Sequence, residues 1–136
     1  MQYSGILTKM ATELLSEVQY YLVFENDFIH LNTLLNQTLN MELIGHQCVS
    51  CGQEKPLYRQ GFCYSCFYSS PQAGDWIFRP ELSKAHLNNA DRDLEYEKKV
   101  QLQPHVVYLS FTGDIKVGMT RKSQIPYRWI DQGATQ

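Results

Sequence analysis

Hydrophobic and polar positions change period several times along this chain of 136 residues. Val18, Tyr20, Leu22 and Phe24 alternate with Gln19, Tyr21 and Val23. Successive strand side chains point to opposite faces, so this run predicts a largely buried β-strand. The preceding "SGILTKMATEL" fits either a strand or a short helix. In "FIHLNTLLNQT" the apolar residues Phe28, Leu31, Leu34 and Leu35 recur at helical spacing and predict one or two helical turns. "LNMELIG" returns to period two, with Leu39, Met41 and Leu43 on one face, and predicts a strand leading toward Cys48. Residues 1–46 therefore read as a small β-rich platform.

Beyond residue 66 the pattern becomes irregular. "SSPQAGDWIFRPELS" has the serine, proline and glycine content of a connecting loop, with Trp76, Ile77 and Phe78 placed to pin it to the body. "NNADRDLEYEKKVQL" puts aspartates first and Lys98 and Lys99 last, as a surface helix complementing its own dipole would, and Pro104 stops it. "HVVYLSF", "TGD" and "IKVGM" read as strand, turn and strand, a β-hairpin. Pro126 then marks a helix start and Gly133 its C-cap.

The chemistry of the chain is concentrated between the two halves. All four cysteines lie in "QCVSCGQEKPLYRQGFCYSCF", where Cys48, Cys51, Cys63 and Cys66 form two C-x-x-C pairs. Each such turn presents two sulfurs to one side of a metal ion, and two turns on neighbouring hairpin tips complete a tetrahedral Zn²⁺ sphere. Gly52 suits the first knuckle and Gly61 a comparable bend before the second. The spacer is long enough for a strand, a turn and a return strand. Two disulfides or a dithiol redox centre compete with zinc, and each explains the doubled motif less well. Four protein ligands leave no position for water, so the expected zinc is structural. His46 stands near Cys48 but is not needed for a complete set, and His30, His86 and His105 share no ligand spacing.

Charge adds a weaker clue. Lys9 stands against Glu13, Glu17, Glu25, Asp27 and Glu42 in the first third, whereas Lys116, Arg121, Lys122 and Arg128 outnumber Asp114 and Asp131 in the last. The basic end could meet phosphates of DNA or RNA, or could simply be a solvated face. No basic cap precedes an apolar run at the N-terminus, and no stretch reaches the roughly eighteen apolar residues of a membrane span. The expectation is a soluble cytoplasmic protein.

At "QPHVVYL", "IKVGMTR" and "PYRWIDQGA", extending back through "QGFCYSCF" and "RPELSKAH", the chain resembles a bacterial family, domain-of-unknown-function family 2797. The C-terminal segment is also similar to the GIY-YIG nuclease superfamily, in which two antiparallel strands carry the name-giving tripeptides and a following helix carries an arginine. That resemblance places Tyr108 at the first tyrosine, Gly118 at the closing glycine and Arg128 at the helix arginine, with Arg121 the runner-up. Lys116 stands where the second tyrosine is usual. It implies Tyr108 and Arg128 as catalytic residues, yet no glutamate follows Glu97 to hold a divalent metal, and Asp131 is the sole acid beyond Gly118. The family's members usually continue further, which implies that this chain is the N-terminal part of a longer protein or a shortened relative.

The reading that results is an α+β fold in three segments. These are the platform at 1–46, a Cys₄ zinc ribbon with its connecting loop at 47–80, and a helix with a partial GIY-YIG-like segment at 81–136. Its function reads first as a nucleic-acid-associated zinc-binding module, with Lys116, Arg121, Lys122 and Arg128 as contacts. The alternatives are a nuclease complete only in a longer chain and a zinc-stabilised protein-interaction module.

Overall fold

The structure, a computed structural model, describes residues 2–134. In chain order its regular elements are strands β1 (Ala11–Leu14), β2 (Val18–Val23), β3 (Phe28–His30), β4 (Leu57–Arg59) and β5 (Phe62–Cys63), then helices α1 (Tyr64–Ser69) and α2 (Leu94–Gln101). Strands β6 (His105–Phe111) and β7 (Ile115–Arg121) follow, and helix α3 (Tyr127–Asp131) ends the series. The fold is α+β. It divides into two compact units, residues 1–41 with 104–136, and residues 42–103. The platform and the C-terminal hairpin, separate segments in the sequence reading, thus share a unit, and residues 81–103 belong with the cysteines.

In the first unit β1, β2 and β3 form an antiparallel sheet with β2 central, registered from Ala11 opposite Tyr21 to Leu14 opposite Val18 and from Tyr21 opposite His30 to Val23 opposite Phe28. Every residue of β2 is half-buried, as expected of a strand flanked on both sides. The helical spacing of "FIHLNTLLNQT" is overruled at its start. Phe28–His30 is a strand, and only Leu31–Leu34 turns, as a 3₁₀ helix. The side chain of Asn32 in that turn stands in for a missing strand: its Oδ1 accepts from the Tyr20 N–H at 2.8 Å, and its Nδ2 donates to the Val18 carbonyl at 3.0 Å.

The strand expected at "LNMELIG" does not form. Residues 38–47 make no backbone hydrogen bond to another described residue. Leu39, Met41, Leu43 and Ile44 are all exposed, Leu43 to 86%. Alternation defines a face, but a strand needs a neighbouring ladder, and here none lies alongside.

The hairpin does form. β6 and β7 pair antiparallel from His105 opposite Arg121 to Phe111 opposite Ile115. Tyr108 lies opposite Gly118, and a Cβ on that glycine would meet the Tyr108 ring at 2.4 Å, so only glycine lets the ring cross the neighbouring strand. The opposite face of the hairpin carries Val107, Leu109, Phe111, Ile115, Val117 and Met119, each between 43% and 76% exposed. α3 ends as read from Gly133: the Gly133 N–H donates to Ile130 at 2.9 Å and the Ala134 N–H to Trp129 at 3.0 Å, the Schellman pattern.

In the second unit Cys48, Phe62, Cys63, Phe67 and Ala73 form the core, with Cys66 packed against them. The loop after α1 is a chain of 3₁₀ turns at Pro71–Ala73, Asp75–Ile77, Pro80–Leu82 and Ala85–Leu87. Trp76 pins it as expected, while Phe78 points out to solvent. Asp93 caps α2 by accepting from the Tyr96 N–H at 2.9 Å. α2 is not wholly a surface helix, because Glu97 is only 1% exposed. Its carboxyl oxygens accept from the Ser83 hydroxyl at 2.6 Å and the Asp91 N–H at 3.3 Å, which gives the buried polar group donors.

Candidate metal centre

The spacer between the cysteine pairs folds as its length requires. β4 runs out, Gln60 and Gly61 turn with φ of +54° and +82°, and β5 returns to Cys63. Two successive positive-φ residues make the type I′ geometry that matches strand twist. The turn is docked on the first cysteine loop. The Val49 N–H donates to the Gly61 carbonyl at 2.9 Å, and a Cβ on Gly61 would sit 2.9 Å from Val49 Cγ1. Cys48 to Gly52 forms the knuckle, closed by the Gly52 N–H donating to the Cys48 carbonyl at 2.8 Å.

The second pair departs from a hairpin-tip ribbon. Cys63 ends β5, and Cys66 lies in the first turn of α1. Helix propagation continues to Ser69, past the point where irregular chain is expected. The site is thus knuckle, hairpin and helix. Arg92, half-buried, secures the far end of α1 by donating to the carbonyls of Phe67 at 2.8 Å and Ser70 at 2.6 Å, a cation placed against a helix C-terminus.

The four Sγ atoms lie within 4.8 Å of one another, and none is in a disulfide. A tetrahedral thiolate site with bonds of about 2.3 Å places sulfurs about 3.8 Å apart, so the set fits a thiophilic ion with small adjustment. Backbone donors favour thiolate. The Cys51 N–H, then those of Cys63 (3.3 Å from the sulfur) and Ser50, hold the Cys48 thiol down to about 6 against the effect of burial. Cys63 is lowered too, by the Ser65 hydroxyl first and the Cys66 N–H second. Cys66 is pushed up to about 11, chiefly through its hydrogen bond with the Cys63 sulfur. A dication held by all four would displace that proton. No histidine joins the cluster among the described residues.

The other predicted site residues do not converge in this way. Lys116 and Arg121 are an odd number of residues apart on β7 and therefore face opposite sides of the hairpin. Lys116, Arg121, Lys122 and Arg128 form no ion pair among the described residues. The Tyr108 hydroxyl donates to Gln132 Oε1 at 2.7 Å, and its ring meets Trp129 edge-on at 5.9 Å, while the Arg128 side chain is exposed. Asp131 accepts from Lys9 at 2.9 Å.

One cluster was missed by sequence reasoning. Tyr58 on β4 and Tyr64 and Tyr68 on α1 gather with ring centroids 4.9 to 6.0 Å apart, and the Arg59 guanidinium lies 5.3 Å over the Tyr58 ring. The i, i+4 spacing of Tyr64 and Tyr68 was the available signal, legible only once this stretch is known to be helical. No helix among the described residues is long and apolar enough to cross a membrane.

Comparison with curated proteins finds no match, and neither does comparison with solved structures. The profile of DUF2797, a protein family of unknown function, matches residues 36–136, spanning the cysteine site, α2, the hairpin and α3; the chain belongs to this family.

Proposed function

We propose that this chain is a zinc-dependent binding module that associates with nucleic acid. The observation that carries the reading is the closed set of four cysteine sulfurs within 4.8 Å of one another. Four thiolates select Zn²⁺ among common cellular dications and leave it no open position, so the ion supplies rigidity rather than Lewis-acid chemistry. Cys48, Cys51, Cys63 and Cys66 would hold it. Nucleic-acid association is supported by Lys116, Arg121, Lys122 and Arg128, none neutralised by an ion pair among the described residues, and by Arg59 beside the metal unit. Turnover of a phosphodiester has less support. Beyond Gly118 the single acid, Asp131, is engaged by Lys9, and the Tyr108 hydroxyl is engaged by Gln132. A protein partner is the second reading, favoured by the apolar outer face of the β6–β7 hairpin.

Two measurements test the proposal. Elemental analysis should give one zinc per chain, with Cys63→Ser losing most of it; absence of metal together with two disulfides by mass spectrometry would sink the site. Binding of DNA or RNA should weaken with salt by about one unit of log–log slope per phosphate contact, a shallow dependence for so few cations. Affinity indifferent to salt, to Arg121→Ala and to Arg128→Ala would remove nucleic acid as the partner.

A further inference from the structure

We infer that the face made by Tyr58, Tyr64, Tyr68 and Arg59 is a stacking site for the unpaired bases of single-stranded nucleic acid. The inference rests on the nucleic-acid reading above and gives it a location.

The tyrosines are not all explained by packing. Tyr58 and Tyr68 each meet the buried Phe67 ring at 5.3 Å, so their inner edges close the core around the cysteines. Tyr64 makes no ring contact with Phe67. Its ring pairs with those of the other two tyrosines, at 5.2 and 4.9 Å, and it is 63% exposed. Tyr58 and Tyr68 are themselves 42% and 54% exposed. Three large rings thus present outer surface on one small scaffold. Two of them sit on a helix whose first turn carries Cys66, and the third on the strand that leads into the Gly61 turn.

Charge decides what such a surface meets. The Arg59 guanidinium lies 5.3 Å over Tyr58 and 5.9 Å over Phe67, held by ring faces and by no carboxylate among the described residues. Between Glu42 and Asp75 the sole acid is Glu54, against Lys55 and Arg59. A cation fixed beside exposed rings offers one site to a phosphate and several to the base attached to it. Stacking on aromatic side chains tolerates any base, because every base has a π-face. The ring planes stand 34° to 72° from one another, a faceted surface that suits bases splayed from a flexible strand. In a duplex those base faces are covered by neighbouring pairs. Hence the single strand.

The test uses the full chain loaded with zinc, short fluorescein-labelled dT and dA strands, and a duplex control, read by anisotropy. Tyr64→Ala should weaken binding of both single strands by about 5- to 150-fold, the range of one base–aromatic stack, and Tyr64→Phe should retain it. Arg59→Ala should weaken binding and make its salt dependence shallower. Circular dichroism and zinc content confirm that the exposed positions leave the fold intact. Duplex binding without single-strand binding would remove this site and leave the nucleic-acid reading standing. So would single-strand binding that ignores Tyr64→Ala but is lost in Lys116→Ala with Arg128→Ala. Failure of the folded, zinc-loaded chain to bind any of these probes would remove both and leave the tyrosine face as a protein contact.

Discussion

Among the described residues, all the buried hydrophobic side chains, Phe62, Phe67, Trp76, Ala73 and Ala85 with Cys48 and Cys63, belong to residues 42–103. In the other unit the buried residues are two hydroxyl side chains, Ser110 on β6 and Thr120 on β7, and every other described strand residue there is half-buried or exposed. The two units therefore solve the same problem differently. A segment this short buries little apolar area, and a metal held by the four cysteines, as proposed, would add cross-links where hydrophobic area is lacking. The platform and hairpin rely instead on antiparallel ladders and cross-strand pairs, and they leave one hairpin face apolar and open.

If the four cysteines hold zinc as proposed, removing it should separate the units most sharply. A structural zinc site contributes on the order of 10 kcal/mol of apparent binding energy. Chelation is therefore expected to abolish slow amide exchange across residues 48–73, while the β6–β7 ladder keeps its protection. Equal loss in both units would refute the contrast. Acidification should mimic chelation, since the metal needs four thiolates and protons compete for them; binding weakens as pH falls.

A smaller effect sharpens the same point. Phe67→Ala empties the core beside the cysteines and should cost about 3–5 kcal/mol in denaturant midpoint measurements on zinc-loaded protein. Leu109→Ala, on the open hairpin face, should stay within about 0.5 kcal/mol. Comparable costs would mean that the hairpin face is covered in solution.

Between those two in size is Gly118→Ala, which drives a methyl into the Tyr108 ring and should destabilise the first unit by about 1–3 kcal/mol as the ring is displaced. Adding Tyr108→Ala to that variant should recover part of the loss in a double-mutant cycle; simple additivity would show that the two residues do not compete for space.

What could be read from the chain alone follows from how local each signal is. The cysteine set was legible because ligand spacing is a short-range property, and the hairpin because "TGD" interrupts two alternating runs. The helical location of Cys66 was not. α1 is six residues of tyrosine, serine, cysteine and phenylalanine, poor helix formers, and its N-cap, Cys63, makes no side-chain capping bond. The segment at 39–43 shows the converse failure, since its period announces a strand for which the fold supplies no ladder. The burial of Glu97 depends on Ser83 and Asp91, both in irregular chain, where no periodicity reports on neighbours.

The docking of the Gly61 turn onto Val49 bears on how the sequence can drift. The residues between Cys51 and Cys63 act as a ruler with one soft end. Gly52 and Gln53 still bond back to Cys48, but residues 54–56 belong to no strand or helix, so an added residue there lengthens only exposed loop. Between Phe62 and Cys63 the same insertion would flip Cys63 to the opposite side of its strand, out of reach of the other three sulfurs. Length variation among family members should therefore collect before β4 and be absent after it.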